Sequence, residues 1–181
     1  IYNKDGILID LNNKDMEINV WDRIIAFEGR MHEFIKAAYD YQDNTFHSHP
    51  GYYIDYFEMR LAQLQVLHNL HYEIKKIRKM PKQALVIADY IMYMADYVVE
   101  MNIPDQQIEK LEEISEQMKQ EELPKTREEF EGRALLYHIL MDLEEFLVYK
   151  KRFVSGLDEK KLRIYWKQEM EQKDSANELQ K

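Results

Sequence analysis

The chain has 181 residues, 45% hydrophobic and 33% charged, with a formal net charge of −9 and no cysteine. That length supports one well-buried core, so a single domain over residues 1–181 is expected, and the acidic balance argues against nucleic acid as a partner, which needs clustered Lys and Arg. Without cysteine there are no disulfides, no thiolate chemistry and no Cys-ligated zinc, and five Gly and four Pro are too few turn residues for a β-sandwich.

Residues 1–12 carry little periodic signal beyond the turn pair Asp5-Gly6, and they and 172–181 are expected to be poorly ordered. The first helix is predicted over Asn13–Tyr41, where Val20, Ile24, Phe27, Met31, Phe34, Ala38 and Tyr41 alternate by four and three in one apolar seam. Asn44–Gly51 breaks it, with Pro50-Gly51 as a turn signal. A second helix over Tyr52–Lys79 carries Leu67, Leu70, Ile74 and Ile77 in register and stops before Pro81. The third, Lys82–Glu100, has its seam at Ala84, Ile87, Ile91, Met94, Val98 and Met101 and apolar residues on its other faces, so it is expected to be the most buried helix.

After a corner at Pro104, a fourth helix over Asp105–Glu121 shows Ile108, Leu111, Ile114 and Met118 on one side and mostly Glu, Gln and Lys on the other. Thr126 and Glu129 form a capping-box signal for a fifth helix over Arg127–Val154, with Leu136, Leu140, Leu143 and Leu147 as its stripe and Gly156 as the residue past its end. Asp158 can cap a last short helix reaching about Gln168. The fold class that follows is all-α: an elongated antiparallel helical bundle of about five main helices plus a short C-terminal helix. No segment reaches the roughly 20 uncharged apolar residues of a membrane span. The nearest, Ala84–Val99, contains Asp89 and Asp96. No signal peptide opens the chain, and its start at Ile1 rather than Met hints at a piece of a longer protein.

Candidate chemistry is sparse. None of the six histidines has Glu three residues before it, which removes the di-iron bundle motif, and His-Glu-x-x-His is absent. His68 and His71 are three apart, with His47 and His49 in a loop, but no full metal-ligand set is visible. Asp89 with Asp96, and Asp142 with Glu144 and Glu145, read as solvated helix faces, because no Gly-rich turn or strand end organises a cleft around them. No catalytic residue, cofactor site or metal site is assigned, and enzymatic activity is not expected. The basic runs Lys75-Lys76-Ile77-Arg78-Lys79 and Lys150-Lys151-Arg152 fall near helix ends, where cations complement the helix dipole.

Thirteen tyrosines are many for this length, and Tyr52, Tyr53, Tyr56 and Phe57 cluster at the head of the second helix with Arg60 one turn on. Such a patch can stack an aromatic acid and pair its carboxylate with the guanidinium. Equally, tyrosines there can fill a bundle core with hydroxyls at the rim, or form an oligomer contact.

The wording of two blocks carries a resemblance. Tyr52-Tyr53-Ile54-Asp55-Tyr56-Phe57-Glu58-Met59-Arg60 with Gln63 and Leu67, and Leu123–Phe146, resemble the C-terminal cytosolic domain of the putative aromatic acid exporter family of bacterial inner-membrane proteins. The likeness extends from the helix around Trp21 to Phe153 and includes the Arg- and Glu-rich stretch with Arg127 and Arg133. It implies a helical domain that follows N-terminal membrane helices of the same protein, at the cytoplasmic side of the cell inner membrane. It further implies a non-catalytic regulatory or assembly role in the export of aromatic carboxylic acids, with homo-oligomers and an aromatic acid ligand as expected partners. Tyr52, Tyr53, Tyr56, Arg60, Arg127 and Arg133 are the expected ligand or interaction patch. The alternative reading is a free-standing soluble helical protein-interaction module.

Overall fold

The structure, a computed structural model, describes the backbone of residues 14–44, 50–77 and 80–166. Side chains are described at 20–44, 51–77, 80–158, 161–162 and 164–166. Among the described residues there are six helices and no strand: α1 (Lys14–Asn44), α2 (Pro50–Lys76), α3 (Ala84–Ala95), α4 (Asp105–Lys119), α5 (Arg127–Ser155) and α6 (Glu159–Tyr165). The disorder expected at 1–12 and 172–181, the Asp5-Gly6 turn, His47, His49, Arg78, Lys79 and the run to Gln168 lie outside the described residues.

Helices α2 to α5 form an up-down-up-down bundle, and side-chain contacts fix each direction. Tyr52 meets Phe153 at one end of the α2–α5 pair, with ring centroids 5.5 Å apart, and Ile77 lines a shared pocket with Leu136 and Ile139 at the other, so the two are antiparallel. In the same sense Gln83 bonds Glu121 and Tyr90 bonds Gln107 between α3 and α4. Arg133 reaches Glu121, and Lys151 reaches Asp105, between α4 and α5. The longest partner in the bundle, α5, spans about 44 Å at the standard rise per residue and makes the architecture elongated.

The core is one continuous cluster. α5 supplies Leu136, Ile139, Leu140, Leu143, Phe146 and Leu147, the predicted leucine stripe in full. α3 adds Ala84, Ile87, Tyr90 and Met94, and α4 adds Leu111, Ile114 and Met118. Val66 and Leu70 of α2, with Ile77 just past its end, close it. One polar network runs through this packing: the Tyr90 hydroxyl donates to the Gln107 carbonyl at 2.7 Å, and the Gln107 amide donates to the Tyr93 hydroxyl. Burial pushes the Tyr90 hydroxyl pKa above its ordinary value, so it remains a donor.

α1 lies outside this core, flanking α2 antiparallel to it, with Trp21 against His68 and Phe34 against Phe57. None of its residues from 20 to 44 is buried. The predicted seam is only half covered, because α2 fits a stripe rotated from it, Trp21, Ile24, Glu28, Met31, Ile35 and Ala38. Phe27, Phe34 and Tyr41 remain 49%, 45% and 54% exposed.

Several boundaries differ from the sequence expectation, each for a local reason. Pro50-Gly51 opens α2 instead of turning, since proline at the first helical position lacks only an N–H that would have no intrahelical acceptor. α2 ends at Lys76, three residues short of Lys79. α3 stops at Ala95 rather than Glu100: its last bonds tighten to i→i+3, from Tyr97 to Met94 and from Val98 to Ala95, as the chain enters the β-branched pair Val98-Val99. Nor is α3 the most buried helix, for Leu85 and Val86 point outward and α5 dominates the core. The Thr126 hydroxyl accepts from the Glu129 N–H at 3.1 Å as predicted, but the Glu129 carboxylate accepts from the Lys125 N–H, one residue before the expected amide. Gly156 follows α5 in an ordinary right-handed conformation (φ −82°), so its freedom at positive φ is not used. Asp158 caps α6 by accepting from the Lys161 N–H at 2.7 Å.

Two substitutions weigh these features. Leu143→Ala, at a side chain 1% exposed, is expected to cost about 2–5 kcal/mol in urea unfolding, whereas Leu123→Ala, at 85% exposure, is expected to change the midpoint little. Asp142 is the second test. One of its carboxylate oxygens is buried without a hydrogen-bond partner, and burial, with Glu73 and Glu145 nearby, raises its pKa. A carboxyl raised above its unfolded value weakens the fold as pH climbs from the ordinary Asp range through the raised one. Asp142→Asn should therefore gain stability over the native chain at pH 7 and little or none at pH 3, read by thermal midpoints at both.

Candidate functional site

Helical spacing sets the site at the start of α2. Tyr52 and Tyr56 fall one turn apart on the face toward α5, and Tyr53 and Phe57 fall on the neighbouring face toward solvent and α1. Tyr52 is 1% exposed. Its hydroxyl donates to Glu100 Oε1 at 2.7 Å and accepts from the Trp166 indole N–H at 3.1 Å. Its ring lies flat on Tyr165, with centroids 3.8 Å apart and planes at 7°. One tyrosine thus ties α2 to the α3–α4 corner, to α5 through Phe153, and to α6. Burial and the Glu100 carboxylate hold its pKa well above the ordinary phenol value, so the donor persists at any physiological pH.

Lys150 enters the same cluster from α5 and is 4% exposed. Its ammonium donates to the Glu100 backbone carbonyl, and the rings of Phe153, Trp166 and Tyr56 lie 5.3, 5.6 and 5.9 Å from it. A carbonyl oxygen and aromatic faces are the groups that offset the cost of removing a cation from water. Sequence reading treated Lys150 only as part of a basic run at a helix end. The missed signal is its register: Leu136, Leu143 and Lys150 are spaced by seven, so the lysine continues a buried stripe.

Arg60 is half-buried and held in place. Its Nε donates to the Tyr56 hydroxyl at 3.1 Å, Nη1 donates to Gln63 Oε1 at 2.9 Å, and the guanidinium sits 5.1 Å over the Tyr56 ring. Gln63 in turn donates to the Phe146 carbonyl at 2.8 Å in the buried α2–α5 contact. Arg60 and Lys150 both line a narrow cleft roofed by the α3–α4 corner, with Tyr97, Val98 and Asn102 among its walls. Its interior of about 10 Å³ has room for about one water.

The structure therefore brings Tyr52, Tyr53, Tyr56 and Arg60 together and places Arg127 and Arg133 at the other end of α5. Tyr52 is consumed by core contacts, Tyr53 is 44% exposed, Arg60 borders the cleft, and Tyr56 lies beneath the Arg60 guanidinium. Arg127 is exposed and pairs with Glu131 at 2.9 Å. Arg133 clasps the α4–α5 corner through Glu129 at 2.8 Å, Glu121 at 3.8 Å and the Glu122 carbonyl. Arg133 and Glu129 thus brace that corner, and the bonds from Lys125 and Arg133 lower the Glu129 pKa. His68 and His71 both pack against Trp21, at 4.5 and 5.8 Å between centroids, and no metal-holding group of three His, Asp or Glu occurs among the described residues.

Tyr52→Phe keeps the ring and deletes the hydroxyl, leaving the Trp166 N–H and the Glu100 carboxylate without that partner. A loss of about 1–3 kcal/mol is expected, accompanied by a red shift of tryptophan emission as Trp166 gains solvent. An unchanged spectrum and midpoint would show that this hydroxyl does not anchor α6.

Comparison with known proteins gives the chain its relatives. It is 32% identical over 98 residues to "Uncharacterized protein YqjA" of Bacillus subtilis (strain 168), a match that takes in 54% of this chain and 30% of that protein. The chain thus spans under a third of the length of that relative. A solved structure described as a "putative membrane protein from Clostridium difficile 630" superimposes with a TM-score of 0.68 over 84% of this chain and 89% of that one, at 24% identity, and so shares the fold. Residues 6–151 match the family described as "Putative aromatic acid exporter C-terminal domain", and the chain belongs to that family.

Proposed function

We propose that this chain is the cytosolic, non-catalytic regulatory or assembly domain of a bacterial membrane exporter of aromatic carboxylic acids. The observation that carries the reading is the family match across residues 6–151. Two features of the fold support it. No helix among the described residues is long and apolar enough to cross a membrane, which suits a water-facing module attached to membrane helices. Two helices also keep large apolar side chains about half exposed or more. On α1 these are Phe27, Phe34 and Tyr41, and on α5 they are Phe130 and Met141. Such side chains suit contacts with further helices, whether from the membrane portion or from another copy.

Catalysis has no place in this reading. The tyrosines and cations at the head of α2 organise packing around the corner of α3 and α4, and a domain of this kind acts by holding or shifting its neighbours.

The test uses the full-length protein in a bacterial host. Cells expressing it should expel preloaded hydroxybenzoate faster than cells expressing a version cut before this domain, and protease should reach the domain in inverted membrane vesicles but not in intact spheroplasts. Equal efflux with and without the domain would remove the regulatory role. Recovery of the native protein in the soluble fraction would favour the free-standing interaction module instead.

A further inference from the structure

From the corner between α2 and α3 we infer a docking surface for anionic phospholipid headgroups, which orients the domain on the membrane. The inference rests on the proposed attachment to membrane helices and names the face that this attachment presents to the bilayer. Its first sign is in the sequence. Acidic residues outnumber Lys and Arg by 34 to 25 in the chain, yet the stretch Ile74–Ala88 holds Lys75, Lys76, Arg78, Lys79 and Lys82 and no Asp or Glu. Helix dipoles account for only part of this run. Lys75 and Lys76 stand in the last turn of α2, where a cation is favoured. Lys82 comes one residue before Gln83, the N-cap of α3, at the positive end of that helix, where a cation is disfavoured.

The fold turns the run into a surface. Lys75, Lys76 and Lys82 are exposed. Leu85 and Val86, in the first turn of α3, are 57% and 44% exposed, and Leu123, 85% exposed, lines one groove with Lys82. Cations beside outward apolar side chains suit a segment that meets anionic headgroups and the edge of the acyl chains. The acids of the neighbouring α4–α5 corner are largely engaged, Glu122 by Lys125, Glu129 by Arg133 and Glu131 by Arg127.

The path of the chain brings this surface to the bilayer. α1 runs antiparallel to α2, with Trp21 against His68 and Tyr39 bonded to Glu58, so Lys14 sits at the same end of the bundle as the α2–α3 corner. The matched family is a C-terminal domain and the match opens at residue 6, eight residues before α1. Eight extended residues span at most about 29 Å, short of the roughly 44 Å length of α5. The preceding part of the protein therefore enters at this end and not at the Tyr52 end. A net charge of −9 does not forbid the contact. Screening limits exposed charges to a range of about 8 Å, so the bilayer meets the basic corner while acids farther along the bundle lie out of reach, and the tether holds the corner at high local concentration.

The full-length protein reconstituted in vesicles tests this. The 181 residues contain no cysteine, so one cysteine introduced here, in a version whose membrane portion also lacks cysteine, takes a single bimane label. A label at Leu85→Cys should be quenched by nitroxide-headgroup lipid in mixed phosphatidylcholine–phosphatidylglycerol vesicles. A label at Ile103→Cys, 51% exposed in the α3–α4 corner, should not. Quenching at position 85 should fall severalfold in vesicles of phosphatidylcholine alone, or in the mixed vesicles at about 1 M salt. Lys75→Gln, Lys76→Gln and Lys82→Gln together should reproduce that loss, and arginine at the same three positions should restore the quenching. The surface is overturned if position 85 is quenched no more than position 103, or if neither phosphatidylglycerol nor the three lysines alters the quenching. A full-length protein that does not insert in vesicles overturns the membrane attachment and this inference with it, whereas insertion without quenching at position 85 removes this inference alone.

Discussion

The amide of Gln63, 3% exposed, donates to the carbonyl of Phe146 across the α2–α5 contact, and the register of the bundle turns on that bond. Two long helices with leucine-rich faces can slide by a turn at small cost, since apolar side chains fit many neighbours. A buried amide cannot, because a slip leaves it unpaired at a cost of about 1–3 kcal/mol. With that register set, Tyr52 falls beside Phe153 at one end and Ile77 beside Leu136 at the other. The remaining elements dock onto a pair whose alignment is already decided.

One consequence is the polar knot at the end formed by the start of α2 and the end of α5. Glu100 is reached from both helices, by the Tyr52 hydroxyl on its carboxylate and by the Lys150 ammonium on its carbonyl. The corner joining α3 to α4 is thus held by side chains from α2 and α5 as well as by bonds of its own, Asn102 to Gln107 and Gln107 to Tyr93. α6 depends on the same tyrosine through Trp166 and the stacked Tyr165. A short helix of seven residues would be marginal alone, and here it is stabilised by aromatic packing and one Asp158 cap. The opposite end is built differently, with ion pairs around an Arg133 side chain only 15% exposed and with Leu123 open to solvent.

Much of this was legible in the sequence, and the exceptions have physical causes. The leucine stripe of α5, the Thr126 and Asp158 caps and the all-helical class follow from local spacing and local chemistry, which a single sequence displays. Lys150 was misread because residue type was weighed above register: it sits at a buried position of its helix. Tyr52 was legible as part of a cluster, but its partners Glu100 and Trp166 are 48 and 114 residues away, a distance no periodicity reports. The seam of α1 failed for another reason. Its heptad spacing is real, but spacing states that a face is apolar and not which neighbour covers it, and α2 meets the helix on a rotated face.

That rotation has a further consequence for α1. A helix of 31 residues with no buried side chain from 20 to 44 draws its stability chiefly from α2, and the half-exposed rings of Phe27, Phe34 and Tyr41 keep about half of their usual 150–250 Å² each in water. The three together leave about 300 Å² of apolar surface uncovered, within the range of the largest patch on an ordinary monomer and well short of the roughly 800 Å² per partner of a stable interface. α1 alone therefore does not make a strong dimer. A strong contact needs the adjoining Phe57 and Tyr53 of α2 as well, which adds a second helix to the face and makes the α1–α2 hairpin, rather than α1, the unit that any helical neighbour must meet.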